Sequence, residues 1–365
     1  MDDAFITTAS PSLWICRQGL FIVAQRSKIK KTTIVDIAAA SGVSVTTVSR
    51  ILNDKPDVAE ETRERVLRVM EEYGFAPQSS WQQIRSGKSH LIAMHFPQDF
   101  NPPAHRVIFE AALGCEAAGY SINIMVNSLS DNELLAIFRG GQADGMILME
   151  IQTHDQRVEV LRQHAYPFVM IGRCADNTAV SFADNDIDYG VTVAMQHLLE
   201  LGHRQIGFVT HSPVVQEKEY GYSTWAAQSY DRVCRQSGLP QLWRAIDFNS
   251  ADAVAAVQRL LAENPHLTAI VTPQEHCVIG VLQAIRAQGL RIPDDISVIG
   301  LLNEAMSELA TPPLTTISFP AAEMGREAAR ILLGRLEGTL TTPQQVLIRP
   351  ELYVRGSTGP AKHHA

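Results

Sequence analysis

Two periods divide the chain. Between Thr33 and Tyr73 apolar residues recur at helical spacing, and from Leu91 onward short apolar runs alternate with longer amphipathic stretches. In the first region Thr33 to Ala40 (TIVDIAAA) sets Ile34, Ile37 and Ala38 at i, i+3 and i+4. That spacing predicts a short helix, with Thr33 as its cap and Asp36 near the positive end of its dipole. Ser41-Gly42-Val43 stops it, Gly42 supplying the left-handed backbone that a tight helix-to-helix turn needs. Ser44 suits the cap of a second helix, in which Val48, Ile51 and Leu52 share one face and Val45, Thr46, Ser49 and Arg50 fall largely on others. After the polar stretch Asn53 to Asp57 a third helix runs to about Tyr73, with Val66, Val69, Met70 and Tyr73 at helical spacing and Gly74 ending it. Three such helices can close one small core.

The second region reads differently. Leu91 to Phe96, Ser121 to Val126, Gly145 to Glu150, Phe168 to Gly172, Gln205 to Thr210, Thr268 to Thr272 and Ile296 to Gly300 are near-continuous apolar runs. Runs of this kind, separated by helices such as Asp252 to Asn264 and Val278 to Gly289, suit parallel strands buried on both faces. Their number implies two α/β lobes. Between the regions lies a polar linker, Pro77 to Gly87 (PQSSWQQIRSG), whose apolar Trp81 and Ile84 stand three apart.

Charge sharpens the division. The whole chain carries a formal net charge of -8, which would repel a polyanion, yet Lys28 to Lys88 holds ten basic against eight acidic residues. One short segment is therefore free to meet phosphate. The cysteines Cys16, Cys115, Cys174, Cys234 and Cys277 are odd in number and widely spaced, without a CxxC or Cys/His cluster. They read as reduced, mostly packed thiols. Leu13 to Ala24 is the only stretch resembling a targeting signal, but Asp2 and Asp3 precede it and Arg17 and Gln18 interrupt it. No run approaches the length of a membrane span. The first 27 residues have no clear period, and 1–31 are expected to be an N-terminal extension that is either disordered or begins too early, with Val23 as a candidate start that would leave a short basic arm before Thr32.

The second helix raises a question of chemistry. Val45 to Ser49 are five consecutive Val, Thr and Ser residues, which are poor helix formers, so something other than helix propensity selects them. Short hydroxyls and methyls can read base edges, and Arg50 can bind guanine O6 and N7 through two hydrogen bonds. The pair of helices thus has the form of a helix-turn-helix, although pattern alone also accommodates an ordinary helical hairpin. Arg85 to Ser89 (RSGKS) suggests a phosphate loop, but Gln82 stands where that loop requires glycine. There is no GxSxG, HExxH or GxGxxG in strand-to-helix context, so neither an enzyme nor a metal site is indicated.

Thr33 to Leu52 (TIVDIAAASGVSVTTVSRIL), with Asn53, Val58 to Val66 (VAEETRERV) and Tyr73 to Pro77 (YGFAP), closely resembles the DNA-binding domain of the lactose-repressor (LacI/GalR) family. The resemblance continues through Asp184 to Gly190 (DNDIDYG), His197 to Val209, Ile292 to Gly300 (IPDDISVIG), Pro312 to Ile317, Met324 to Ala328 and Arg355 to Thr358 (RGST), which look like that family's effector-binding core. It implies an all-α helix-turn-helix head (32–76), a hinge (77–88), and a two-lobed α/β core (89–358) of the periplasmic-binding-protein-like kind with parallel sheets, followed by a tail (359–365). By the same resemblance Val45 and Thr46 occupy the main base-reading positions and Arg50 reads deeper in the major groove. Thr33, Thr47, Ser49 and Asn53 would position the protein on phosphates. Ile84 would be the hinge's apolar wedge in the minor groove, with Trp81 and Arg85 departing from the small residues usual beside it. Ala59 stands where the family often has a capping Ser.

Ligands of this family lie between the lobes, at the carboxyl ends of strands. On that analogy Asp99, Asn101, Arg173, Trp225, Gln274 and Asn303 line the effector site. Several positions depart from the common sugar-binding pattern: Ala226 replaces an Arg that grips hydroxyls, Gln274-Glu275 replaces Asn-Asp, and Leu301-Leu302-Asn303 replaces Tyr-Asp-Asp. The departures leave open which sugar or sugar derivative is bound. The expected protein is a cytoplasmic homodimeric transcriptional regulator, with a tetramer as a further assembly, that binds a pseudo-palindromic operator under control of a small-molecule effector. No cofactor, metal or membrane partner is expected. A solute-binding protein of the same core fold is the alternative, but it would have no use for residues 32–88.

Overall fold

The structure, a computed structural model, describes residues 14–16, 19–21, 32–52, 55, 57–73, 75, 88–97, 105–211, 217–246, 250–302 and 304–362. It divides into two compact units, Met1–Gly87 and Lys88–Ala365. In the first, Trp14–Cys16 (β1) and Gly19–Phe21 (β2) pair antiparallel with Trp14 opposite Phe21, a pairing that the lack of a clear period did not suggest. Two apolar triplets flank the polar Arg17-Gln18 in the sequence, which is the composition of a hairpin.

The rest of that unit is a three-helix head: Ile34–Ser41 (α1), Val45–Leu52 (α2) and Glu60–Glu72 (α3). Thr33 and Asp36 form a reciprocal capping box at the start of α1, the Asp36 carboxylate accepting from the Thr33 amide at 2.8 Å. Gly42 ends the helix at φ 64° and ψ 32°, and its N–H reaches back to the carbonyls of Ala38 and Ala39. The chain then bends by 105° into α2, where the Ser44 hydroxyl accepts from the Thr47 amide at 3.0 Å. Ile37, Val48 and Val66 are fully buried with Ala38, Ile51, Met70 and Phe75 around them. Each fully buried Val or Ile contributes roughly 1.5–3 kcal/mol, so one residue from each helix closes the core. Tyr73, expected on the inner side of α3, is half exposed because the helix ends at Glu72. Ala59 precedes α3 without a side-chain cap, and Glu60 and Glu61 favour the helix start through the dipole instead.

The second unit contains two sheets. Leu91–Phe96 (β3), Ser121–Val126 (β4), Gly145–Leu148 (β5), Phe168–Ile171 (β6), Phe182–Asn185 (β7) and Gln345–Ile348 (β13) build the first, in the order β13-β7-β6-β5-β3-β4 with every pair parallel. Helices His105–Ala117 (α4), Asp131–Arg139 (α5), Gln156–Gln163 (α6) and Ala321–Leu336 (α12) belong to this lobe. The second sheet runs β14-β12-β11-β10-β8-β9, from Ile206–His211 (β8), Leu242–Ile246 (β9), Ala269–Thr272 (β10), Ser297–Leu301 (β11), Thr315–Ile317 (β12) and Leu352–Tyr353 (β14). Only β14 is antiparallel to its neighbour. Its helices are Ile187–Glu200 (α7), Gly221–Ser237 (α8), Ser250–Glu263 (α9), Glu275–Ala287 (α10) and Glu304–Leu309 (α11). Four of the expected apolar runs (β5, β6, β10, β11) are buried along their whole length; β4 is not. As an edge strand it pairs only with β3, and Ile124 and Val126 are about half exposed.

The chain crosses between the lobes three times: after β7 into α7, after β12 into α12, and between β13 and β14. The crossings are bonded to one another, Ser318 N–H donating to Glu351 O and Asp186 N–H to Ile348 O. Phe319, on the second crossing, packs against the cores of both lobes. Gly190, in the first turn of α7, faces the other two crossings so closely that a Cβ would lie 2.8 Å from Ile317 Cγ2 and 2.9 Å from Pro350 Cγ. Gly190→Ala should therefore destabilise the core by about 1–3 kcal/mol through overpacking, read as a lower urea midpoint with an unchanged slope.

Candidate nucleic-acid interface and ligand cleft

On the head, the residues that do not serve the core make one outward surface of α2. Val45, Thr46 and Arg50 are exposed, while Thr47 and Ser49 are half-buried. The atoms expected to read DNA are therefore not enclosed in the protein's own interior. Arg50 lies across an ion pair to Asp57, which holds the guanidinium at the surface with about half its side chain still accessible. Thr33 and Thr47, expected at phosphates, are occupied locally: the Thr33 hydroxyl donates to Asp36 at 2.6 Å and the Thr47 hydroxyl bonds Ser44 Oγ at 2.8 Å. These contacts cap the N-termini of α1 and α2. Asn53 and Ile84, with Trp81 and Arg85, lie outside the described residues.

In the second unit a cleft opens between the lobes, with roughly 860 Å³ of empty space, part of it open to solvent. Its walls come from the carboxyl ends of parallel strands, where open α/β sheets bind ligands. Met149 and Glu150 follow β5, Gly172 follows β6, and Asp184 and Asn185 end β7. From the other lobe come Tyr222, Gln274, Glu275 and Leu301, with Phe319 at the hinge.

Of the residues expected there, Gln274 lines the cleft and is buried. Arg173 stands one layer behind, its Nη1 donating to Asp184 Oδ2 at 2.6 Å and its guanidinium lying 5.2 Å over the Trp225 ring. Arg173 and Trp225 thus support the wall that Asp184 presents. Asp99, Asn101 and Asn303 lie outside the described residues. Sequence reasoning passed over Glu150, Asn185, Tyr222 and Phe319. A polar residue closing an apolar parallel strand, as in GMILME and FADN, was the available signal for the first two.

Electrostatics distinguish the acids of this wall. Glu150, in the left-handed region at φ 52°, is buried, and desolvation raises its carboxyl to about 7 although a hydrogen bond from Tyr222 and the nearby Arg157 guanidinium oppose the rise. Burial likewise lifts Asp184 to about 6 against the pull of Arg173. Arg157 itself is committed elsewhere, to Asp155 at 2.6 Å and to the carbonyls of Met149 and Glu150 at 3.0 Å. It also donates to His95 Nδ1 at 3.0 Å, and with desolvation this depresses the imidazole's basicity, so His95 is a neutral strut whose Nε2–H bonds Asn127 O. Two buried acceptors of residues on the cleft wall, Glu150 Oε2 and Asn185 Oδ1, have no hydrogen-bond partner among the described residues, and neither has Trp225 Nε1. Among the described residues no group of three His, Cys, Asp or Glu is placed to hold a metal. Among them, too, no single helix is long and apolar enough to cross a membrane; the bent pair α1–α2 approaches that composition because it supplies the head's core.

The raised carboxyl of Glu150 has a thermodynamic sign. The native state holds this proton more tightly than the unfolded chain, so the unliganded core loses stability as pH rises from the ordinary carboxylate range through about 7, and the loss is complete above it. A shift of this size corresponds to roughly 3 kcal/mol. Glu150→Gln should flatten the pH dependence of the urea midpoint over that window, leaving the smaller slope due to Asp184; an unaltered slope would place the charge outside the low-dielectric wall.

Comparison with known proteins identifies the family. Residues 33–78 match the model of bacterial regulatory proteins of the lacI family, and residues 195–358 match a periplasmic binding protein-like domain. Catabolite control protein A of Priestia megaterium is 30% identical over 315 residues, covering 82% of this chain and 91% of that protein. Among solved structures, the complex of the transcriptional regulator CelR with cellobiose aligns with a TM-score of 0.66 at 27% identity over 89% of this chain and 99% of that one. The lac repressor dimer bound to operator and the anti-inducer ONPF shares the fold, with a TM-score of 0.77 at 23% identity over 90% and 100% of the two chains. The chain belongs to the lacI family of bacterial regulatory proteins: it is a DNA-binding transcriptional regulator and not an enzyme.

Proposed function

We propose that the protein is a cytoplasmic homodimer that represses its genes by seating α2 of each protomer in successive major grooves of a pseudo-palindromic operator, and that a sugar or sugar derivative in the interlobe cleft sets its affinity for that site. The observation that carries the reading is the exposed Val45, Thr46 and Arg50 face on a packed, capped helix pair. In this reading Arg50 donates to guanine O6 and N7, Val45 and Thr46 contact neighbouring base edges, and Thr33, Thr47, Ser49 and Asn53 set the register on phosphates. Ile84 wedges the minor groove at the centre of the operator.

Two apolar surfaces support self-association. On the first lobe Phe109 and Leu113, one helical turn apart on α4, are exposed together with Ile124 and Val126 on the neighbouring β4; on the second Ile279, Met306 and Leu309 are exposed. Apolar side chains gathered this way mark protein contacts rather than solvated surface. The ligand acts by population shift: binding favours the closed arrangement of the lobes about the three crossings, and the dimer transmits the difference to its heads. That the related CelR structure contains cellobiose supports a carbohydrate as the class of effector.

Gel shifts with genomic fragments over a salt series test the central claim, since sequence-indifferent binding, or binding insensitive to salt, contradicts it. Arg50→Ala should weaken specific binding by about 1–3 kcal/mol while leaving non-specific binding nearly unchanged. In sedimentation velocity, the double variant Phe109→Asp, Leu113→Asp should move the protein towards monomer and lower its operator affinity in parallel; a stable dimer would assign the interface to another face.

A further inference from the structure

The cleft wall is acidic and has no cation of its own. Glu150, Asp184 and Glu275 line it, and among the described residues no Lys or Arg does. The two guanidinium groups behind the wall are already engaged, Arg173 with Asp184 and Arg157 with Asp155, each at 2.6 Å. An anionic ligand would therefore find no free counter-charge on this wall, which disfavours it.

Two acceptors of the wall remain unmatched among the described residues, although Tyr222 hydrogen-bonds Glu150. Glu150 and Asn185 both line the cleft and are each more than nine-tenths buried, and each has one enclosed side-chain oxygen without a partner among the described residues. Buried acceptors left in this state are costly, so a complementary ligand brings N–H or O–H groups to them. A hydroxyl would answer the hydrogen bond but not the charge of Glu150. An ammonium answers both, with three donors and a positive charge. Around these groups Ile151, Ile171, Leu301 and Phe319 supply the apolar surface that the faces of a sugar ring use.

We propose that the effector is a sugar or sugar-like polyol carrying a protonated amine, and that its ammonium seats against Glu150 with Asn185 accepting beside it. This rests on the reading of the cleft as an effector site and adds the charge of the ligand. The burial that raises the Glu150 carboxyl is then the signature of a site completed by a cation, and binding the amine releases the proton that the empty site holds near neutrality.

The test uses the full-length protein and a matched panel: glucosamine, galactosamine and mannosamine, each beside its parent hexose and the parent's 6-phosphate. Thermal shift ranks the panel, and titration calorimetry in buffers of different ionisation enthalpy counts protons. The expected result is that one amine binds at least about ten-fold more tightly than its parent, that its phosphate does not bind, and that protons are released on binding. In Glu150→Gln the advantage of the amine over its parent should fall away, along with the proton release. A parent hexose or a phosphate ester that binds as tightly as the amine overturns this inference and leaves the sugar-effector reading standing. Silence of the whole panel overturns both. The wild-type ranking decides the matter even if the substituted protein is unstable.

Discussion

The cleft exists because three separate crossings are packed into one hinge. Each lobe has its own sheet and core, so nothing in either would by itself hold a gap of ligand size between them. What holds it is the meeting of the first turn of α7, the end of β12 and the segment after β13. There Gly190 leaves no room for a side chain against Ile317 and Pro350, and Phe319 is shared by both cores. Close packing of this kind is rigid within each segment yet permits small rotations between them. A two-lobed binding protein needs that combination if ligand is to close it.

The polar chemistry of the cleft follows from the same topology. Parallel strands run towards the gap, so their last residues leave the apolar interior where the lobes face each other. Glu150 and the Asp184-Asn185 pair are such residues: they line the cleft from the strand ends and are nonetheless buried. Burial raises both carboxyls, and Arg173 offsets this for Asp184 alone. The result is a wall with unmet acceptors on one side and apolar surface on the other. It is arranged for a partner that brings donors.

The head solves a different problem. Its core needs only a few inward residues from three short helices, which frees the outer face of α2 from packing. Poor helix formers are tolerated there because Ser44 caps the start of α2 directly after the Gly42 turn, and Val48 and Ile51 anchor the helix from beneath. The ion pair of Arg50 with Asp57 keeps a long cationic side chain on that surface.

The sequence by itself determined the helix-turn-helix and most of the buried strands, since Thr33, Gly42 and Ser44 act through local backbone chemistry and β5, β6, β10 and β11 are apolar throughout. It did not reveal β7, β9, β12, β13 or β14, which are short and carry polar or charged residues, as in FADN and LWRAI, so that only pairing with a neighbour makes them strands. It named Gln274, Arg173 and Trp225 as lining the cleft, of which Gln274 does and the other two stand behind the wall, and it missed Glu150 and Asn185. Which acid is buried, which guanidinium is already paired, and which face of β4 remains open depend on residues far apart in the chain being brought together, and tertiary structure alone decided them. Local patterns record what a residue prefers; desolvation and counter-charge are properties of the neighbours it finally meets.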